Sequence, residues 1–356
     1  MASKPRIKDI AELAGVSPGT VDRVLHGRGK VSEASRLAVE RVLQEVDYKP
    51  NLFLSSISMK KRFRLAVAIP ECIEGEYWEQ VRDGILGAIK EYDGMDIDCR
   101  FFCYNQFDLF SCRSTFSSVA REEWDAVIIG PTFKDETLVL ANHLDDSHTP
   151  YVFVDSMVDG TSPMCFFSAN QQVCGYLIAK LLHQITPDGS NYVLCQATRV
   201  GDESANNTML RKTGFMEFFR EHGLEGNVKR LMFSAAHPEE NETLVGDFFE
   251  RNPDIKGAAV LSSRGGIMAN YLKGRRLEGI KLVTLDLTRI NIEALRDGGL
   301  GFVICQRPAQ QGFSAVKSLM MNLVFGHTMP RENFVPLDIV TKENLDYYCD
   351  AADLHH

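Results

Sequence analysis

Two periodicities divide the chain. At the start, apolar positions recur at helical spacing: Ile7, Ile10, Ala11 and Ala14 fall at i, i+3, i+4 and i+7, the stripe of a short helix. Gly15 follows as its stop, being the residue that best tolerates a left-handed backbone. Ser17-Pro18 then reads as an N-cap with proline at the first helical position, so a second helix begins at once. Val21, Val24 and Leu25 form its inward face, and Pro18, Gly19, Asp22, Arg23 and His26 its outward one. A third helix follows Ser32, with Leu37, Ala38, Val42 and Val46 inward. Three small helices with a tight turn between the first two make a helix-turn-helix, whose second helix enters the major groove.

After Arg64 the pattern changes to short apolar strands alternating with amphipathic helices. The expected strands are 65–69, 100–104, 126–129, 151–154, 165–167, 192–195, 258–261, 282–285 and 301–305. Helices fit between them, among others 78–92, 173–184, 211–222 and 309–324. Such alternation predicts parallel, doubly wound sheets, and this many strands predicts two lobes. The expected fold is therefore an all-α helix-turn-helix headpiece joined to an α/β body of two doubly wound parallel-sheet lobes.

Charge sharpens this division. The chain of 356 residues carries a net charge of −9, which taken alone argues against nucleic acid. Residues 1–64, however, hold 13 Lys and Arg against 7 Asp and Glu, and the remainder 26 against 41. A basic head on an acidic body is the distribution that attracts phosphates to one end. The nine cysteines are scattered and lack CxxC pairs, as expected of reduced thiols rather than a zinc site. No apolar run approaches the roughly 20 residues of a membrane span, and the first residues lack a signal-peptide core. A cytoplasmic protein with no membrane association is expected.

Residues 7–11 (Ile-Lys-Asp-Ile-Ala), 14–17 (Ala-Gly-Val-Ser), Thr20-Val21, Arg23-Val24-Leu25, Val31-Ser32 and Tyr48-Lys49-Pro50-Asn51 together resemble the headpiece of the lactose-repressor (LacI/GalR) family. The resemblance implies that Pro18 and Gly19 face bases, and that Arg23 reaches guanine O6 and N7. It also implies that Ser17 and Thr20 bind phosphates, with Asp22, His26 and Asn51 in the same interface. Two departures stand out: Pro18 and Gly19 carry no side-chain donors, and Asp22 replaces the usual serine. Residues 51–62 resemble the family's hinge helix, in which Ile57 matches the apolar wedge driven into the minor groove.

The body resembles the periplasmic-binding-protein-like sensor of the same family, with crossings between lobes expected near Ser168, Leu287 and Phe325. Ligand would bind in the cleft at the strands' C-terminal ends. There the resemblance and the strand ends together point to Tyr77, Trp78, Asp155, Asn170, Arg211, Arg264, Asp286 and Gln306. The aromatic pair offers a flat surface for the CH face of a sugar. Arg211, Asp286 and Gln306 match polar ligand contacts, and Asn170 stands where an aspartate is common. Ser262-Ser263-Arg264 replaces a common Asn-Asp, which favours an anionic ligand if Arg264 points inward. Other readings stay open: Arg211 and Asp286 could pair across the lobes, and Tyr77 and Trp78 could be core aromatics.

No P-loop, GxGxxG, GxSxG or HExxH motif occurs, so no enzyme, cofactor or metal is expected. The expected organisation is a headpiece at 1–50, a hinge at 51–62, a two-lobed effector-binding and dimerisation domain at 63–345, and a tail at 346–356. The expected function is a homodimeric transcriptional regulator, a repressor by family habit. It would bind a near-palindromic double-stranded operator under control of a sugar or sugar acid. Alternatives are control by a protein partner with an empty structural cleft, or a carbohydrate-acting enzyme.

Overall fold

A computed structural model of the chain describes residues 7–25, 31–45, 62–198, 206–234, 238–277 and 279–349. His26, Asn51 and Ile57, and the whole expected hinge except Arg62, lie outside these residues.

Helices α1 (Ile7–Leu13), α2 (Pro18–Leu25) and α3 (Glu33–Glu45) form the headpiece around Ile10, Ala11, Val21, Val39 and Val42. Gly15 takes the left-handed conformation (φ +64°) in the tight turn. Ser17 Oγ caps α2 by accepting from Thr20 N at 3.2 Å, and Ser32 Oγ caps α3 through Ser35 N at 3.2 Å. The inward face of α3 differs from expectation. Val42 is buried as expected, but Leu37 is 57% exposed, and Val39 and Leu43 join Val42 at the core instead. Leu37 and Val39 lie about 200° apart around the helix, so only one can share the face of Val42, and Val39, three positions before it, is the one that does.

The first lobe runs through β1 (Phe63–Pro70), α4 (Tyr77–Lys90), β2 (Ile97–Tyr104), α5 (Leu109–Ala120), β3 (Ala126–Ile129), α6 (Lys134–Asp146), β4 (Tyr151–Val154) and β5 (Cys165–Ser168). The second runs through α7 (Gln171–Ile185), β6 (Asn191–Thr198), α8 (Asn206–Glu221), β7 (Val228–Ser234), α9 (Pro238–Glu250), β8 (Ile255–Val260), α10 (Gly265–Gly274), β9 (Lys281–Leu285), α11 (Arg289–Arg296) and β10 (Phe302–Cys305). The chain then returns to the first lobe as α12 (Pro308–Phe325) and β11 (Glu332–Phe334), and ends in the second as β12 (Asp338–Val340).

The sheet orders are β11-β5-β4-β3-β1-β2 and β12-β10-β9-β8-β6-β7, parallel throughout except for the β10–β12 pair. Central strands are buried on both faces, which is why they read as continuous apolar runs rather than alternating ones. A core lies on each face of each sheet. Strand β7 is an edge strand with much of its length exposed, and β11 and β12 have three residues each. None of the three carries an apolar run long enough to read from sequence.

The chain crosses between lobes after Ser168, at Gln306-Arg307 and at residues 335–337. Two of the expected positions, Leu287 and Phe325, are therefore corrected. Helix α12 looks like the next helix of a β-α series, but it packs on α4 of the first lobe. Gly84 and Gly312 let those backbones touch: a Cβ at Gly84 would land on the Ala309 carbonyl, and one at Gly312 on the Val81 carbonyl. In the second lobe Gly175 and Gly214 play the same part for α7 and α8, with Gly175 against the Arg211 carbonyl. That close approach brings the side chains of Gln171 and Arg211 together.

Candidate functional site

On α2, Ser17, Pro18, Gly19 and Arg23 are exposed, and Thr20 and Asp22 are partly so. The Arg23 guanidinium folds back along the helix, with Nε donating to Gly19 O at 3.0 Å. Ser17 Oγ lies 2.9 Å from Thr20 Oγ1, so these two hydroxyls form one polar end at the helix N-terminus. Pro18 has no N–H and Thr20 N is taken up by Ser17, so the two hydroxyls at this exposed end are what the helix start offers a phosphate.

The second site is a cleft between the lobes enclosing about 1250 Å³ of space, including its mouth. Of the eight residues expected there, Tyr77, Trp78, Asp155, Arg211, Arg264, Asp286 and Gln306 line it. Asn170 does not: its side chain caps α7 by accepting from Val173 N at 3.1 Å. Both walls carry polar groups, the first lobe's including Glu71, Gln106, Thr132, Lys134, Asp155 and Ser156, but the aromatic rings are confined to one wall. The aromatic rings of Tyr77, Trp78, Phe107 and Phe133 all come from the first lobe. The second supplies Gln196, Asn207, Thr208, Arg211, Ser262, Ser263, Arg264 and Asp286. Tyr77 and Trp78 pack edge to face, their centroids 5.3 Å apart, and both also belong to the first lobe's core.

Asp286 sits immediately after β9 with φ +62° and is 2% exposed. Its carboxylate accepts from Gln306 Nε2 at 3.0 and 3.2 Å and from Ser263 Oγ at 3.1 Å. Burial pushes its pKa up to about 6, against the opposing pull of Arg211, Gln306 and Ser263. Arg211, 7% exposed, donates to Gln171 Oε1 (2.6 Å), Leu261 O (3.1 Å) and Gln306 Oε1 (3.1 Å). Guanidinium has five N–H donors, so about two remain for a ligand. Arg211 and Asp286 both belong to the second lobe and meet through Gln306. They do not pair across the lobes.

Asp155 (φ +73°) is bound from both sides. Tyr77 Oη donates to its Oδ1 at 2.9 Å, and Asn207 Nδ2 of the second lobe reaches its carbonyl at 3.0 Å and Oδ2 at 3.1 Å. Burial, and the nearby Asp155 and Asp286 carboxylates, raise the Tyr77 phenol well above its usual range, so it remains a donor. Gln311 of α12 ties the crossing to the wall, donating to Tyr77 Oη at 3.2 Å and to Gln306 O at 2.9 Å. Ser262 Oγ is buried and meets no hydrogen-bond partner among the described residues.

At the mouth the lobes are latched. Arg264 pairs with Glu76 at 2.9 Å, Gln80 Nε2 donates to Leu287 O at 3.0 Å, and Arg289 N to Gly75 O at 2.8 Å. Arg264 therefore does point to the cleft, but Glu76 meets its charge. Sequence reasoning missed Gln171, Asn207, Ser263, Glu76 and Gln311. Their one signal was position, since Glu76, Gln171 and Ser263 directly adjoin Tyr77, Asn170 and Arg264.

A basic three-helix reader joined to a two-lobed sensor, with aromatic rings on one wall of its cleft and polar groups on both, defines a ligand-responsive DNA-binding regulator. Residues 6–51 match the bacterial regulatory proteins of the lacI family, and residues 66–327 match the periplasmic binding protein domain. The chain is 30% identical to the HTH-type transcriptional regulator CelR of Thermobifida fusca, covering 80% of this chain and 82% of CelR. It is 22% identical to the ribose operon repressor of Halalkalibacterium halodurans, covering 79% and 80%. A structure from Bacteroides fragilis assigned to the LacI transcriptional regulators superposes with a TM-score of 0.77 at 31% identity, over 81% of this chain and all of that one. The glucose-galactose binding protein GanP of Geobacillus stearothermophilus shares the body's fold, with a TM-score of 0.69 at 19% identity over 80% of this chain and 99% of that one. The chain belongs to the lacI family of bacterial transcriptional regulators.

Proposed function

We propose that this regulator binds a neutral, hydroxyl-rich sugar between its lobes and that the bound sugar sets its affinity for DNA. One observation carries the reading: an aromatic wall faces a buried network of Arg211, Gln306 and Asp286 that still has donors and acceptors to offer. A pyranose presents a CH face to rings and hydroxyls to carboxylate, carboxamide and guanidinium. Ser262 Oγ adds a further hydroxyl partner for such a ligand. Since Glu76 already neutralises Arg264, a neutral sugar suits the cleft better than a sugar acid. The names of the ribose operon repressor and of GanP are in keeping with a sugar.

In this proposal the headpiece occupies residues 1–50, the hinge 51–62 and the sensor 63–345. Two chains pair through their sensors and place two recognition helices on half-sites of a near-palindromic operator. Ser17 and Thr20 hold phosphates, and Arg23 leaves Gly19 O to read guanine. Pro18 and Gly19 contribute shape and methyl contact rather than hydrogen bonds. Asp22 lowers affinity near the phosphates, and His26, Asn51 and Ile57 complete the interface. Sugar stabilises one lobe arrangement, and DNA affinity shifts by the difference in its binding to the two. Repression is the expected direction of control, and the cleft performs no chemistry on its ligand.

Calorimetry of the full-length protein against a panel of neutral sugars and sugar acids tests this. A heat of binding for a neutral sugar, abolished by Arg211→Ala, is the expected result. Binding confined to acids, or turnover of the ligand, would overturn it.

A further inference from the structure

The second crossing between the lobes is made by Gln306 and Arg307, and the two residues do different things. Gln306 is buried and its carboxamide is engaged at both ends. Nε2 donates to the Asp286 carboxylate at 3.0 and 3.2 Å, while Oε1 accepts from Gln171 Nε2 at 3.0 Å and from Arg211 at 3.1 Å. This side chain is the joint between the guanidinium and the carboxylate of the cleft. Turned over, it would set its NH2 against Arg211 and its oxygen against Asp286, so only one orientation serves.

Arg307 takes a left-handed backbone (φ +48°, ψ +58°) without being glycine, directly ahead of Pro308. That conformation crowds a Cβ, and a following proline restricts the backbone further, so the turn needs something to hold it. Its own side chain supplies the hold. Nε donates to Asp338 Oδ2 at 2.6 Å and Nη2 to Asp338 Oδ1 at 2.8 Å, a two-pronged pair on a partly buried carboxylate. Asp338 opens β12 just after the third crossing and lies opposite Cys305 in the antiparallel β10–β12 pair. The fork therefore ties the second crossing to the third. Asp155 and Asp286 are also left-handed residues just beyond strands, but they line the cleft, whereas Arg307 does not.

We propose that Arg307 is a positioning residue of the cleft: its fork on Asp338 locks the second crossing in the left-handed turn and so fixes the Gln306 carboxamide between Arg211 and Asp286. Lysine cannot take its place, because an ammonium is a point charge without the fork. Glycine accepts the turn but leaves it unlocked. This role rests on the cleft's being the sugar site proposed above, and it makes the second and third crossings turn as one unit when the lobes move.

Two measurements on the full-length protein test it, each comparing wild type with Arg307→Lys and Arg307→Gly. In calorimetry at pH 8 with the neutral sugar that wild type binds, both variants should bind about tenfold more weakly. The second measurement needs no sugar. Gln306, with Arg211 and Ser263, lowers the Asp286 pKa, against burial and the Asp155 carboxylate, to its value of about 6. Displacing the carboxamide should move the Asp286 titration upward, read by carbon-13 NMR of aspartate-labelled protein. Wild type binding no sugar would overturn the proposed function and leave the titration to decide the role of Arg307. A wild-type Asp286 titration in the variants would overturn that role even if sugar binding weakens, because a merely structural loss would leave Asp286 untouched. Arg307→Lys keeps the charge and decides alone if Arg307→Gly misfolds.

Discussion

Asp286→Asn separates the cost of the buried carboxylate from its use. Asp286 has a folded pKa of about 6 against an ordinary 3.8, raised chiefly by burial. A carboxyl with a raised folded pKa favours the folded state least when ionised. The cost is absent below about pH 4, grows through the interval, and is complete above about pH 6. At about 1.4 kcal/mol per tenfold, this gap corresponds to about 3 kcal/mol. Asparagine resembles the protonated acid: neutral, and still able to accept from Gln306 Nε2. The variant should match wild type near pH 4 and exceed it by about 3 kcal/mol at pH 8, a rise in Tm of about 5 °C. Both tryptophans, Trp78 and Trp124, lie in the first lobe, so circular dichroism is the appropriate probe of melting. A stability gap that does not change between pH 4 and 8 would refute the reasoning. Sugar affinity should move the other way, falling at least tenfold in the variant at pH 8. In wild type it should weaken below pH 6, as protonation removes an acceptor.

Other outcomes follow from the same geometry. Gly175→Ala, which drives a Cβ into the Arg211 carbonyl, should cost about 3 kcal/mol in urea unfolding. Gly274→Ala, in open space on α10, should be neutral or stabilising by up to about 1 kcal/mol. Arg264→Ala should weaken sugar binding by no more than about fivefold, since the Glu76 pair is partly exposed and worth about 1 kcal/mol; calorimetry reads this directly. Arg23→Ala should cost about 1–3 kcal/mol on a selected operator and relax the base preference at one position per half-site, read by competition binding.

Much of this was legible in the chain. Central strands buried on both faces carry a compositional signal, and residues just beyond them, such as Asp286 after β9 and Gln306 after β10, are exposed to a cleft by topology alone. Polar residues in the first turn of a helix are harder. Asn170 and Gln171 are adjacent and both polar, yet one caps α7 and the other reaches Arg211. That choice depends on the α7–α8 approach allowed by Gly175 and Gly214, which no local pattern encodes. The second and third lobe crossings were misplaced for a related reason: α12 has the same amphipathic pattern whichever sheet it covers. Arg264 illustrates the limit for charge, since its position was readable but its partner, Glu76, lies 188 residues away in the sequence.

The central claim is that one chain couples a sugar cleft to a DNA reader. Its most direct test selects an operator with the full-length protein and measures affinity for it while titrating the sugar identified by calorimetry. The account predicts at least a tenfold change in operator affinity, lost in Arg211→Ala, and no sequence-specific DNA binding after deletion of residues 1–60. Sugar binding that leaves operator affinity unchanged, or specific DNA binding by the truncated protein, would contradict it.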